Sequence, residues 1–226
     1  MTKSTKTRKL NNHDVTYEPT YKGHPINTDE KRKLGCNKKI LKKSLGLLND
    51  ATEKHNKVLF MRMDVRFPEN SKEQYTTDNK QFEGFMNSFN RSLKNNKLDP
   101  SYLWVREQSK EKHQHYHLGL LLDGNKTQHI KKHIDKAEEL WSKRLGMDHK
   151  TNNGLIHDCT KDRDGNQQKN GIMIRDKKKD SDSFNEAFDT SFHRISYLAK
   201  ENTKGYAPKN SREFGCSQIK ERKKKN

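Results

Sequence analysis

Two histidines at positions 115 and 117, and a tyrosine and lysine at 197 and 200, are the residues of this chain whose types and spacing could do chemistry. His115 and His117 stand at i and i+2 in HYHLGLLLD, an apolar run with strand character. Both imidazoles therefore project from one face, while Tyr116 and Leu118 point the other way, into the core. Glu107 ends the preceding run, SYLWVREQ. If the two runs pair as a hairpin, Glu107 and His115 become cross-strand neighbours. A carboxylate with two imidazoles suits a divalent cation and leaves coordination positions for water and phosphate oxygens, as a metal that polarises a scissile phosphate requires. His113 creates a second HxH with His115, since the run reads HQHYH; the later pair is preferred because the apolar strand begins there. The bland alternative is a chance triplet, which a chain with 11 histidines readily produces.

The second half of the constellation is RISYLAKENTKGY. On a helix, His193, Tyr197 and Lys200 recur at i, i+4 and i+7 and share a face, with Phe192, Ile195 and Ala199 nearer the packed side. A tyrosine placed so, with a lysine one turn later, suits a nucleophile: a phenol with a pKa of ~10 needs a nearby cation, metal or base to attack. The competing reading is a tyrosine that packs its ring and exposes its hydroxyl.

These residues need elements to position them. VLFMRMDVRFP reads as the first strong strand, with Met61, Met63, Val65 and Phe67 on one face and Arg62, Asp64 and Arg66 on the other. A helix is expected over 78–95 from Phe82, Phe85, Phe89 and Leu93, and another over 127–145 from Ile130, Ile134, Trp141 and Leu145. GLIHDC and GIMIR read as a hairpin across the polar segment KDRDGNQQKN. The last helix is expected over 184–202 from Phe184, Phe188, Phe192 and Ile195. Upstream, residues 1–27 read as a mobile arm, and a helix over 28–54 carries Leu34, Leu41, Leu45 and Leu48, weakened by Gly35 and Gly46. The order β-α-β-β-α-β-β-α predicts an α+β fold, ferredoxin-like or RRM-like. It is a mostly antiparallel central sheet of about five strands with helices on one face, the other face being free for a ligand. The expected organisation is a basic arm and helix over 1–56, a catalytic domain over 57–217 and a basic tail over 218–226.

Composition narrows the partners. The formal charge is +18, and residues 1–57 (14 Lys/Arg against 6 Asp/Glu) and 201–226 (8 against 3) supply +13 of it. Such a chain attracts polyanions by phosphate neutralisation, although charge alone fits a solvated surface as well. Arg62, Arg66 and Lys204 are the expected DNA contacts. Cys36, Cys159 and Cys216 are far apart and lack CxxC spacing, which excludes a zinc ribbon and makes a disulfide framework a poor fit. No apolar h-region opens the chain and no apolar run approaches ~18 residues, so a cytoplasmic protein is expected.

Taken in order, VLFMRMDVRFP, HYHLGLLLDG and ISYLAK resemble the HUH replication initiators. More narrowly, LWVREQ, HYHLGLLLDG, GLIHDC, RISYLAK, TKGY and REFGCS resemble the inovirus-type replication proteins, a family also labelled YagK/YfjJ, over about residues 57–217. The resemblance implies that His115 and His117 are metal ligands with Glu107 the third, that the ion is Mg²⁺ or Mn²⁺, that Tyr197 is the nucleophile and that Lys200 assists it. The single tyrosine in the motif resembles the one-tyrosine subclass; Tyr206 lies beyond the helix, between Gly205 and Pro208. The implied activity is nicking and rejoining of single-stranded or hairpin origin DNA through a 5′-phosphotyrosine, to start rolling-circle replication. No GxxxxGK[ST] occurs, so a host helicase and polymerase are the implied partners. A relaxase or single-tyrosine transposase would use the same residues. A DNA-binding regulator without catalysis, or an RRM-type RNA-binding domain with exposed strand aromatics, would not need them.

Overall fold

The computed structural model describes residues 13–29, 31–69, 71, 74–108, 113–148, 154–162, 164–201, 208 and 211–219. Four two-residue strands come first: β1 (Val15–Thr16), β2 (Thr20–Tyr21), β3 (His24–Pro25) and β4 (Cys36–Asn37). They lead into α1 (Lys38–Lys54), which starts where it does because the Asn37 side chain accepts from the N–H groups of Lys39 and Ile40. There follow β5 (Lys57–Val65), α2 (Lys80–Asn95), β6 (Ser101–Glu107), β7 (His115–Asp123), α3 (Lys131–Arg144), β8 (Ile156–His157), β9 (Ile172–Arg175), α4 (Ser181–Ser196), a 3₁₀ turn (Tyr197–Ala199) and β10 (Phe214–Cys216).

The fold is α+β. Its six-stranded antiparallel sheet runs β10-β6-β7-β5-β8, with β9 also paired to β5. One face meets α2 and α3: Met61, Met63, Val65, Tyr116, Leu118 and Leu120 pack against Phe82, Phe85, Phe89, Leu93 and Trp141. Here the period-2 pattern of the strands meets the aromatic stripe of α2, and Tyr116 stacks on Phe82 with ring centroids 3.7 Å apart.

The other face is not free, contrary to the expectation of helices on one side. Val58, Phe60, Leu103, Val105 and Leu121 form a second core with Ile40, Leu41, Leu45 and Leu48 of α1 and Phe188, Phe192 and Ile195 of α4. Phe60 lies on the face expected to bind ligand and is fully buried. Its strand carries the run VLFM after Lys57, and a near-continuous apolar run of that kind belongs to a strand covered on both sides. Among the described residues, helices cover one end of this face, and Arg62, Asp64, Glu107, His115 and His117 make the other end polar.

Described residues upstream of 57 pack into the second core, while residues 1–12 of the expected arm lie outside the described residues. Ile26 and Cys36 are buried in the second core with α1. The segment expected to be helical from residue 28 instead bridges Asp29 to Leu34 before turning into β4. GLIHDC and GIMIR do not pair with each other. Both pair with β5, β8 at Asp64–Val65 and β9 at Lys57–Phe60. Between them the Asn170 side chain takes a ladder rung, accepting from the Arg62 N–H at 2.8 Å and donating to the Arg62 carbonyl at 2.9 Å. A primary amide offers one acceptor and two donors, so it can stand in for a strand's backbone there. Cys36, Cys159 and Cys216 form no disulfide, and no helix among the described residues is long and apolar enough to cross a membrane.

Candidate active site

β6 and β7 pair so that Glu107 faces His115 and Val105 faces His117. The carboxylate and both imidazoles thus lie on one side of the sheet. Glu107 Oε2 lies 3.7 Å from His115 Nε2 and 3.5 Å from His117 Nε2. The two imidazole centroids are 4.9 Å apart and nearly perpendicular. Glu107, His115 and His117 each offer one ligand atom within 4.8 Å of the others, so the group could hold a metal ion.

Asp64, one strand over, completes the arrangement. It pairs in register with His117 and accepts a hydrogen bond from Nδ1 at 2.6 Å. Burial pushes the Asp64 carboxyl up, but the charge and hydrogen bond of His117, aided by Arg62, hold it well below the usual carboxylate range. An ionised carboxylate only accepts, so Nδ1 carries the proton and Nε2 is turned toward Glu107 and His115. That Nε2 is buried and has no hydrogen-bond partner. A buried nitrogen left without a partner costs free energy, and a carboxylate fixing the opposite ring nitrogen is the usual support of a metal-bound histidine. The donor set therefore fits a divalent cation. In the ion's absence burial opposes a charge on His117, yet Asp64 and Glu107 outweigh it and raise its pKa to about 9. His115 goes the other way: burial and the charge of His117 push it down to about 4.

Tyr197 stands over this group. Its ring centroid is 5.4 Å from that of His117, edge to face. The Arg62 guanidinium lies 4.5 Å from the ring centroid and Lys200 Nζ 5.3 Å from it. Burial and the charge of Glu107 raise the Tyr197 phenol, and Arg62 offsets that only in part. Burial thus disfavours the phenolate, and added positive charge beside the hydroxyl would favour it.

The position of Tyr197 depends on two close approaches. Gly119 lies beneath α4, where an added Cβ would fall 2.7 Å from Ile195 Cδ1 and 2.9 Å from its Cγ1. The Ile195 side chain of α4 fills the space that a side chain at residue 119 would occupy. Beyond Ser196 the chain tightens into the 3₁₀ turn, and Lys200, at φ −55° and ψ 134°, leaves helical geometry. His193, Tyr197 and Lys200 therefore do not continue down one α-helical face, as the sequence spacing suggested. Pairing with the upstream segment causes this: Lys200 bridges Cys36, Glu201 N–H donates to the Gly35 carbonyl at 2.9 Å, and Asn27 N–H donates to Ser196 Oγ at 2.8 Å. Lys200 Nζ is also 3.8 Å from Asp29.

The other expected site residues fall out differently. Arg62 is 5% exposed, bonded to the Arg194 carbonyl and 3.6 Å from Asp64; it backs Tyr197 and is not displayed on a DNA-binding surface. Its strand neighbour Asp64 draws it inward, because a buried carboxylate between imidazole and guanidinium needs both. Arg66 is exposed. Lys204 and Tyr206 lie outside the described residues. His113 stacks on Phe67 at 4.5 Å and bonds the Ser71 carbonyl, outside the metal-ligating group. Sequence reasoning missed Asp64, though a lone carboxylate alternating with Met63 and Val65 in a central strand was a visible signal.

The profile of the YagK/YfjJ C-terminal domain matches residues 16–217. No similar curated protein and no similar solved structure was found. The matched span covers most of the sequence and takes in every residue of the site from Asp29 to Lys200, so the chain belongs to the YagK/YfjJ C-terminal domain family.

Proposed function

We propose that this protein is a metal-dependent endonuclease of HUH type. It nicks and rejoins single-stranded DNA at an origin through a 5′-phosphotyrosine, and so initiates rolling-circle replication in the cytoplasm of a bacterial host. One observation carries the reading: the Tyr197 ring packs edge to face on His117, whose Nε2 has no hydrogen-bond partner and lies in a buried group with Glu107 and His115. Buried polar atoms of this kind are costly unless they serve a ligand, and a phenol at their edge is placed to attack what that ligand binds.

Glu107, His115 and His117 would hold Mg²⁺ or Mn²⁺, which, when bound, polarises the scissile phosphate and draws charge from the phenol. Asp64 fixes the His117 ring. Arg62 lies against Tyr197, where its charge favours the phenolate. The Tyr197 hydroxyl gives its proton to solvent and its oxygen bonds to phosphorus as the bond to the 3′ oxygen breaks; that oxygen takes a proton from solvent, leaving a 5′-phosphotyrosine and a 3′-OH that primes synthesis. Attack by a later 3′-OH reverses the step and closes the circle; bond energy is conserved, so no nucleotide is consumed. The phosphate must reach a half-buried phenol, which favours single-stranded or hairpin DNA over an intact duplex. A host helicase and polymerase would act on the product.

The test is incubation of the full chain with labelled single-stranded origin DNA and Mg²⁺, Mn²⁺ or EDTA, followed by a denaturing gel. A shifted band that requires the ion and disappears in Tyr197→Phe is expected. A shifted band that survives Tyr197→Phe, or DNA binding without any covalent band on origin-containing DNA, would overturn the proposal.

A further inference from the structure

A second group of ligating side chains lies beside the first. His117 of β7, Asp64 of β5 and His157 of β8 occupy one cross-strand row, so that Asp64 has an imidazole on each side. Two residues after His157 the backbone of Cys159 takes a left-handed conformation, φ +54°, uncommon for any residue but glycine, asparagine or aspartate. That turn buries the thiol, which donates to the His157 carbonyl at 3.7 Å and lies close to the Asp64 carboxylate. Asp64, His157 and Cys159 each offer a ligand atom, and the three atoms lie within 4.8 Å of one another. His157 Nδ1 is buried and has no hydrogen-bond partner. The first group's chemistry does not use either His157 or Cys159.

We propose that Asp64, His157 and Cys159 form a second cation site, selective for a thiophilic divalent ion such as Zn²⁺. The thiolate sets this group apart: a soft sulfur ligand favours zinc and its neighbours over Mg²⁺, and the first group offers none. On binding, the Cys159 S–H bond breaks, its proton passes to solvent and the sulfur bonds to the ion. Thiolate and Asp64 together neutralise the two positive charges. Arg62, 3.6 Å from Asp64, and Arg194, whose guanidinium donates to the Cys159 carbonyl, face the same group. Their charge keeps the affinity below that of a closed four-ligand zinc site. An ion at this place competes with His117 for Asp64 and so couples the two groups.

The full chain, kept in a phosphine reductant, is titrated with Co²⁺ and separately with Zn²⁺. The expected result is one equivalent of Co²⁺ giving a thiolate-to-metal charge-transfer band, displaced by Zn²⁺ and not by Mg²⁺. The band disappears in Cys159→Ser and persists in Cys216→Ser and Glu107→Gln. His157→Ala, which leaves the thiol in place, weakens Zn²⁺ binding by on the order of tenfold or more. Circular dichroism of each variant separates ligand loss from unfolding. Absence of the band in the wild-type protein, or its persistence in folded Cys159→Ser, overturns the proposal. None of these outcomes depends on whether Tyr197 attacks DNA.

Discussion

Gly119→Ala tests whether the close approach of α4 to the sheet sets the position of Tyr197. The added Cβ would lie 2.7 Å from Ile195 Cδ1 and 2.9 Å from Ile195 Cγ1, and Ile195 is fully buried. Two effects oppose each other. Replacing a strand glycine by alanine recovers ~0.5–1 kcal/mol of backbone entropy. Overpacking a filled core costs ~1–3 kcal/mol. The second prevails, because Ile195 is fully buried among Phe192, Leu198 and the strands, so its displaced side chain must push on them. The net loss is about 1–2 kcal/mol, a fall in Tm of roughly 2–8 °C for a domain of this size. The effect on chemistry is larger: α4 rises from β7, Tyr197 moves with it, and a misplacement of ~1 Å costs on the order of a hundredfold in rate. The assay is single-turnover formation of the protein–DNA adduct, read beside thermal denaturation. Ile195→Val removes the Cδ1 contact and by itself costs ~0.5–1.5 kcal/mol. Combined with Gly119→Ala it should restore part of both stability and rate, because the new methyl takes the vacated space. Adduct formation at the wild-type rate in Gly119→Ala, or losses in the double variant that simply add, would refute the reasoning.

Asp64→Asn removes the anionic acceptor that fixes His117 Nδ1 and should weaken Mn²⁺ binding on the order of 10–100-fold by calorimetry; unchanged affinity would mean that His117 needs no such support. Asn170→Ala deprives the Arg62 N–H and carbonyl of their partners and should lower stability by about 2 kcal/mol in a denaturant titration; a loss within error would show that water replaces the amide. His133 bonds Thr127 at 2.8 Å, and burial with the charge of Lys132 pushes its pKa from the ordinary 6.5 down to about 4. Between those values the unfolded chain binds more protons than the folded one. The stability linked to neutral His133 is therefore intact above pH 6.5 and declines as pH falls toward 4, by on the order of 1–2 kcal/mol after solvent screening. Wild type minus His133→Gln should show this slope in denaturation midpoints, and parallel curves would contradict it.

Much of the site could be read from local pattern. The i, i+2 spacing of His115 and His117 dictates a shared face on any strand, and the short connection between β6 and β7 dictates a hairpin that sets Glu107 against His115. What escaped notice depends on long-range register. Asp64 reaches His117 only because β5 and β7 pair with a particular offset, and His157 reaches Asp64 because β8 lies on the opposite edge of β5. Local pattern suggested a hairpin for β8 and β9, since a polar turn between two short apolar runs usually makes one. The Asn170 amide lets both runs share β5 instead. The second helical layer was half visible: Leu41, Leu45 and Leu48 marked a buried stripe on α1, but its partners Val58, Phe60 and Leu121 lay on the face expected to be open. The leftward turn at Cys159 and the bridge from Cys36 to Lys200 leave no pattern in composition or periodicity.

The most direct measurement asks whether a residue becomes joined to DNA, and which one. The covalent complex formed on labelled single-stranded origin DNA with Mn²⁺ is digested with protease and nuclease, and the nucleotide-bearing peptide is sequenced by mass spectrometry. Attachment of the 5′-phosphate to Tyr197, within RISYLAK, is the predicted result. Attachment at Tyr206 or any other residue, or failure to form a covalent complex on DNA that the protein binds, would contradict the account.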